Sequence, residues 1–161
     1  MRWLAVLVGI VLGSAVAAQD LGTITLRNGG QTHDFAVRRD HAGRESSWSG
    51  YADTPRDATL TARGDHADGS VLTLQIDVQG GRATYLWFQM RAPDGQSWDG
   101  SSNDGMSVTL TRMQVEWPWL RIAGDYSGPV GAAGAATRAS PVRGRFDLRL
   151  PLQDSAPTPP S

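Results

Sequence analysis

Trp117-Pro118-Trp119 is the least ordinary triplet in the chain. On an extended segment residues 117 and 119 point to the same side. Pro118 fixes its own φ, biases Trp117 toward extended backbone and lacks an amide donor, which suits a sheet edge or a strand end. Two parallel indoles there would form a flat apolar platform of the kind that stacks on a sugar ring, with their N–H groups bonding its hydroxyls. The competing reading is that both rings cap the core beside Trp87 or Tyr126, and Trp is mostly buried in folded proteins. Trp98, in Ser97-Trp98-Asp99-Gly100, is the third ring counted as a candidate for binding.

A second set is basic. Arg143, Arg145 and Arg149 fall on the polar phase of an alternating run, Val142–Leu150, and form an outward row. Such a row could meet an anionic glycan, a lipid head group or an acidic protein. More commonly it is only the wet face of a strand, and Asp147 interrupts it. Arg38-Arg39 is less specific still.

Metal and nucleophile chemistry find little support. Asp65, His66 and Asp68 place two carboxylates and an imidazole in one loop, the weak metal candidate of the chain. Three neighbouring ligands without a fourth make a poor site, and a solvated acidic turn explains them better. Asp99-Gly-Ser101-Ser-Asn103 starts like a calcium loop, but Asp104 stands where Gly is needed and Leu110 where Glu is needed. The chain has no cysteine and no Gly-x-Ser-x-Gly elbow. His33 and Asp34 are neighbours and would point to opposite faces of a strand, so they form no dyad. No cofactor is expected. A glycan-active enzyme using paired Asp or Glu leaves little trace in sequence; it requires two acids converging in an aromatic cleft.

The elements that must position these residues are strands. Val71–Val78 and Arg82–Met90 read as a hairpin about Gln79-Gly80-Gly81. A three-residue loop at 79–81 sets Leu72, Leu74, Ile76 and Val78 against Thr84, Leu86, Phe88 and Met90, and a two-residue turn sets them against the other phase. The first gathers more aliphatic surface and is preferred; it leaves Thr73, Gln75, Tyr85, Trp87 and Gln89 on the opposite face. Strands are predicted at 22–27, 33–38, 58–62, 70–79, 82–90, 106–116, 119–126 and 142–150, with Asn28-Gly29-Gly30 as a hairpin turn and residues 128–141 as a flexible loop. Val108 and Leu110 differ in phase from Met113, Val115 and Trp117, which a bulge near Thr111-Arg112 reconciles. Two internal echoes suggest duplicated hairpin units: Ser47-Trp48-Ser-Gly50 with Ser97-Trp98-Asp-Gly100, and Ile122-Ala-Gly124-Asp-Tyr126 with Val142-Arg-Gly144-Arg-Phe146.

Size and composition fit this. A chain of 161 residues with 19 glycines and 40% apolar residues suits one domain of short strands, 19–151. Residues 1–18 read as a cleaved signal peptide: a basic MRW start, an apolar run too short to span a membrane comfortably, and Val16-x-Ala18 before Gln19. Loss of Arg2 with this leader takes the formal charge from −1 to −2, which does not suit a nucleic-acid binder. All 15 basic residues are Arg. Without cysteine, an exported protein must be held by its core alone. Residues 152–161 read as a disordered Pro-rich tail.

Leu120–Gly128 (LRIAGDYSG), a Gly/Ala loop and Pro141–Leu150 (PVRGRFDLRL) together resemble the layout of small secreted β-sandwich proteins of the mycobacterial lipoprotein-antigen type. The resemblance covers about the last third of the chain and implies a sandwich there. Those proteins carry a lipid-modified cysteine, which this chain lacks, and no functional residue carries over.

The expectation is an all-β protein, a small antiparallel β-sandwich or barrel, periplasmic or secreted and non-enzymatic. It would bind a glycan, an envelope component or a protein partner. The alternatives are the carboxylate enzyme and a structural envelope protein without a discrete ligand.

Overall fold

The computed structural model describes residues 19–39, 46–50, 54, 56–132 and 140–153. The predicted leader and the tail from residue 154 lie outside the described residues. The described chain is all-β. Its strands are β1 (Asp20–Asn28), β2 (Gln31–Arg38), β3 (Ser47–Ser49), β4 (Ala58–Asp65), β5 (Val71–Gln79), β6 (Arg82–Arg91), β7 (Ser97–Ser101), β8 (Ser107–Glu116), β9 (Trp119–Ala132) and β10 (Ser140–Pro151). The single helical piece among the described residues is one 3-10 turn, Ser102–Asp104.

The strands pair antiparallel in the order β10-β1-β2-β4-β5-β6-β7-β9-β8, and β9 also pairs with β10, which closes the path into a ring. Two corners flatten that ring. β2 and β3 lie end to end along one edge of β4: Ala36 and Val37 pair with Asp65 and Gly64, and Ser47–Ser49 pair with Thr61–Thr59. β7 and β8 lie end to end along β9 in the same manner, with Trp98 and Asp99 against Ala132 and Gly131, and Ser107 onward against Ser127. The result is two five-stranded sheets, β3-β4-β5-β6-β7 (sheet I) and β2-β1-β10-β9-β8 (sheet II), each fully hydrogen-bonded within itself and joined by two residue pairs at each corner.

Period two fills the space between them. Leu60, Leu74, Ile76, Leu86 and Phe88 of sheet I meet Ile24, Phe35, Leu120, Ile122 and Phe146 of sheet II, all buried. The β10 alternation is as predicted, with Val142, Phe146, Leu148 and Leu150 buried and Arg143, Arg145, Asp147 and Arg149 exposed.

The β5–β6 register is the preferred one: Leu72, Leu74 and Ile76 face Met90, Phe88 and Leu86. It is reached by a different device. Gln79 pairs with Arg82 around a two-residue turn in which Gly80 and Gly81 both have positive φ, and a bulge between Asp77 and Val78 leaves Thr84 as the extra residue. The Thr84 hydroxyl donates to the Asp77 carbonyl at 3.2 Å. The second expected bulge also forms, as a register shift between Leu110 and Arg112.

Four expectations change. Short polar strands β3 and β7 exist at the edges of sheet I, where neither shows an apolar alternation. β9 continues to Ala132 through the predicted loop, because Val130 pairs with Ser140 and residues 131–132 form the corner with β7. The chain stays ordered past Pro151: the Leu152 amide donates to the Pro118 carbonyl at 2.8 Å and the Gln153 amide to the Trp48 carbonyl at 2.8 Å. Finally, the echoes are not repeated hairpins. Gly124-x-Tyr126 and Gly144-x-Phe146 are the two strands of one ladder, with Gly144 opposite Tyr126 and Phe146 opposite Gly124. Trp48 pairs with Leu60, whereas Trp98 pairs with Met90 and Ala132 and not with Leu110.

Candidate functional site

The outer face of sheet II is a shallow trough, and the cross-strand register writes its contents in rows. The first row reads Thr32, Arg27, Arg143, Ser127, Ser107 across β2, β1, β10, β9 and β8. The second reads Asp34, Thr25, Arg145, Asp125, Thr109. All of these residues except Asp34 line a hollow of about 480 Å³. In the first, Arg27 Nε donates to Thr32 Oγ1 at 3.2 Å, and the Ser107 and Ser127 hydroxyls lie 3.3 Å apart. In the second, Thr25 Oγ1 donates to Asp34 Oδ1 at 2.8 Å. Farther along the trough, Asp147 is ion-paired with Arg112. Among the described residues, Arg143 and Arg145 have no hydrogen-bond or ion-pair partner.

The predicted basic row therefore divides. Arg149 lies with its guanidinium 4.5 Å from the centre of the Trp119 ring, a cation–π contact. Arg143 and Arg145 enter the trough with Arg27, which sequence reasoning missed. Arg27 is in the outward phase of β1, but its position opposite Arg143 is a fact of register that the sequence does not carry.

The tryptophan platform is not assembled as predicted. Trp117 and Pro118 are the two turn residues of the β8–β9 hairpin, flanked by the pair Glu116 and Trp119, and the peptide between them is cis. Trp117 therefore leaves the sheet instead of sharing a face with Trp119. Its ring packs edge-on against buried Trp48, with centres 5.7 Å apart and planes at 84°. Trp48 Nε1 donates to the Pro118 carbonyl at 3.1 Å. Trp98, Trp117 and Trp119 are all half-buried and packed against the core cluster.

Two other rings do share one face of a strand. Tyr85 and Trp87 are two residues apart on β6, point outward from sheet I, and are half-buried without belonging to the core cluster. Asp77 stands directly opposite Tyr85; Gln75 and Ser101 flank Trp87; Thr73 and Asp99 flank Gln89. Neither the Tyr85 hydroxyl nor Trp87 Nε1 has a hydrogen-bond partner among the described residues.

The loop acids act on their own turn. The Ser70 amide donates to Asp68 Oδ1 at 2.7 Å, and His66 Nδ1 lies 2.9 Å from the same oxygen. These two contacts, the backbone one the larger, hold the Asp68 carboxyl at about 2, against an ordinary 3.8. Asp65 instead faces Arg63, 3.8 Å away. No group of three His, Asp or Glu among the described residues is arranged to hold a metal ion. His33 turns inward to meet the His66 ring edge-on at 5.4 Å, while Asp34 points out to Thr25. In the segment that started like a calcium loop, Ser101 Oγ donates to Asp104 Oδ2 at 2.6 Å. The acids Asp34, Asp125 and Asp147 line a hollow of sheet II, and Asp77 and Asp99 share the outer face of sheet I with Tyr85 and Trp87.

Comparison with protein-family models, with curated proteins and with solved structures gives no match to this chain.

Proposed function

We propose that the protein is an exported, non-enzymatic binding module that takes a glycan on the outer face of sheet I. The supporting observation is the Tyr85–Trp87 pair. Both rings stand on one side of a regular strand, about 7 Å apart along it. Around them are amides, carboxylates and hydroxyls from Gln75, Asp77, Gln89 and Thr73. Ring faces pack against the C–H side of a sugar, and the surrounding polar groups bond its hydroxyls. A flat face of this kind holds a length of chain rather than enclosing a small molecule.

Export rests on the leader, with Gln19 as the new N-terminus. Terminal sequencing of the envelope fraction tests it, and an intact Met1 would refute it. The glycan reading is tested by affinity electrophoresis and calorimetry with neutral oligo- and polysaccharides. Trp87→Ala and Tyr85→Ala are expected to weaken retention at least tenfold while leaving the melting temperature close to that of the parent. Unchanged retention in Trp87→Ala, or no retention of the parent on any glycan tested, would overturn it.

A further inference from the structure

Among the described residues, two arginine pairs are directly opposed on the outer face of sheet II: Arg121 and Arg149 are engaged with Glu116 and Trp119, whereas the pair in the first row of the trough contacts neither an acid nor a ring. Thr32, Arg27, Arg143, Ser127 and Ser107 comprise two guanidinium groups and three hydroxyls, with no acid. Arg27 and Arg143 are directly opposed across β1 and β10, and both are exposed. Side chains in that relation have Cβ atoms about 4.5–5.5 Å apart, and like charges so placed destabilise a sheet. The acids of the second row do not relieve the pair: Asp125 is opposite Arg145, and Asp34 is hydrogen-bonded to Thr25. Arg145 stands two residues along β10 from Arg143, on the same face, and adds a third positive charge over the hollow, which Asp125 also lines.

From this we infer that the trough is a binding site for a phosphate monoester carried on a sugar. It is separate from the aromatic face and independent of the glycan reading. A tetrahedral dianion between Arg27 and Arg143 converts their repulsion into two charge-assisted contacts, which the fork of a guanidinium makes bidentately. One carboxylate brings only a single charge to a site with three cations. The hydroxyls of Thr32, Ser127, Ser107 and Thr109 donate and accept, which suits the hydroxylated body of such a ligand, and the hollow of about 480 Å³ has room for it. Arg149 is excluded from the site because it is committed to Trp119.

The test is calorimetry of the mature protein with a hexose phosphate and the parent hexose. It is run beside thermal melts in sodium phosphate and in sodium chloride of equal ionic strength. The ester should bind at least tenfold more tightly than the hexose, and phosphate should raise the melting temperature above that in chloride. Arg143→Gln and Arg27→Gln should each weaken ester binding tenfold or more while melting in chloride no lower than the parent; Arg149→Gln should bind as the parent does. Vesicles of an anionic phospholipid separate the sources of the phosphate. Capture by vesicles without binding of the hexose phosphate would overturn the assignment to a sugar ester, as would ester binding no tighter than hexose binding. Undiminished binding in a folded Arg143→Gln protein would overturn the site.

Discussion

Tyr126 lies directly across the β9–β10 ladder from Gly144, and its ring occupies the space a side chain at 144 would need. A Cβ on Gly144 would sit 2.5 Å from the ring and closer still to the Thr25 carbonyl oxygen. The Tyr126 hydroxyl donates to that same carbonyl at 3.0 Å, so the ring is fastened to β1 across the intervening strand. Burial pushes the phenol far above its ordinary range. Gly144→Ala is expected to cost ~1–3 kcal/mol or more through overpacking against backbone. Tyr126→Phe is expected to cost about 1 kcal/mol through the lost hydrogen bond. Urea unfolding of both variants measures the difference.

Phe88 is the ring on sheet I that meets Tyr126, with centres 5.9 Å apart, and it is 1% exposed. Phe88→Ala should remove ~3–5 kcal/mol of stability, the transfer and cavity costs together. A loss near zero in chemical denaturation would contradict its place in the core.

The cap at the other pole has a different signature. Trp117→Ala deletes the ring that closes over Trp48 and should lower the melting temperature while leaving glycan retention unchanged. Trp48→Phe keeps most of the volume but removes the donor to the Pro118 carbonyl, a loss of about 1 kcal/mol or more. If Trp117→Ala abolished glycan retention without changing the melting temperature, its ring would belong to a binding surface after all.

Asp68 gives a pH dependence with a defined sign. Its folded pKa, about 2, is below the ordinary 3.8, so between those values the unfolded chain binds more protons. The stability it contributes is fully present above about pH 4 and is lost as the pH falls toward 2. Asp68→Asn should flatten that part of the stability profile relative to the parent. The measurement is unfolding monitored by Trp fluorescence at half-unit steps from pH 2 to 5, and a parallel profile in the variant would refute the assignment.

The long strands were legible because burial forces alternation on them: Val142–Leu150 displays its inward and outward sets directly, and the phase break at Thr111 announced a bulge. The β5–β6 register followed from matching apolar faces, although the turn that sets it did not. β3 and β7 were not legible. Three and five residues of mostly polar sequence, Ser47–Ser49 and Ser97–Ser101, satisfy hydrogen bonds at sheet edges and carry no period. The Gly-x-aromatic echo was visible, but only pairing shows that each glycine makes room for the other strand's ring. The candidate sites suffered most, since they depend on register. Arg27 and Arg143 are over a hundred positions apart in sequence, and Trp117-Pro118, read as extended, is a turn.

The seam between β1 and β10 joins the first of the described strands to the last. Contacts of such sequence separation are the slowest to form, and here they await the synthesis of β10. Until Ser140–Pro151 arrives, nine strands can pair among themselves, yet β1 and β9 each keep an open edge with its amides and carbonyls unpaired, a template for association with other chains. The final strand thus acts as a latch: a nascent or truncated chain lacking those 12 residues retains most of its strands and is nevertheless the aggregation-prone form, recognisable to a chaperone by two bare edges.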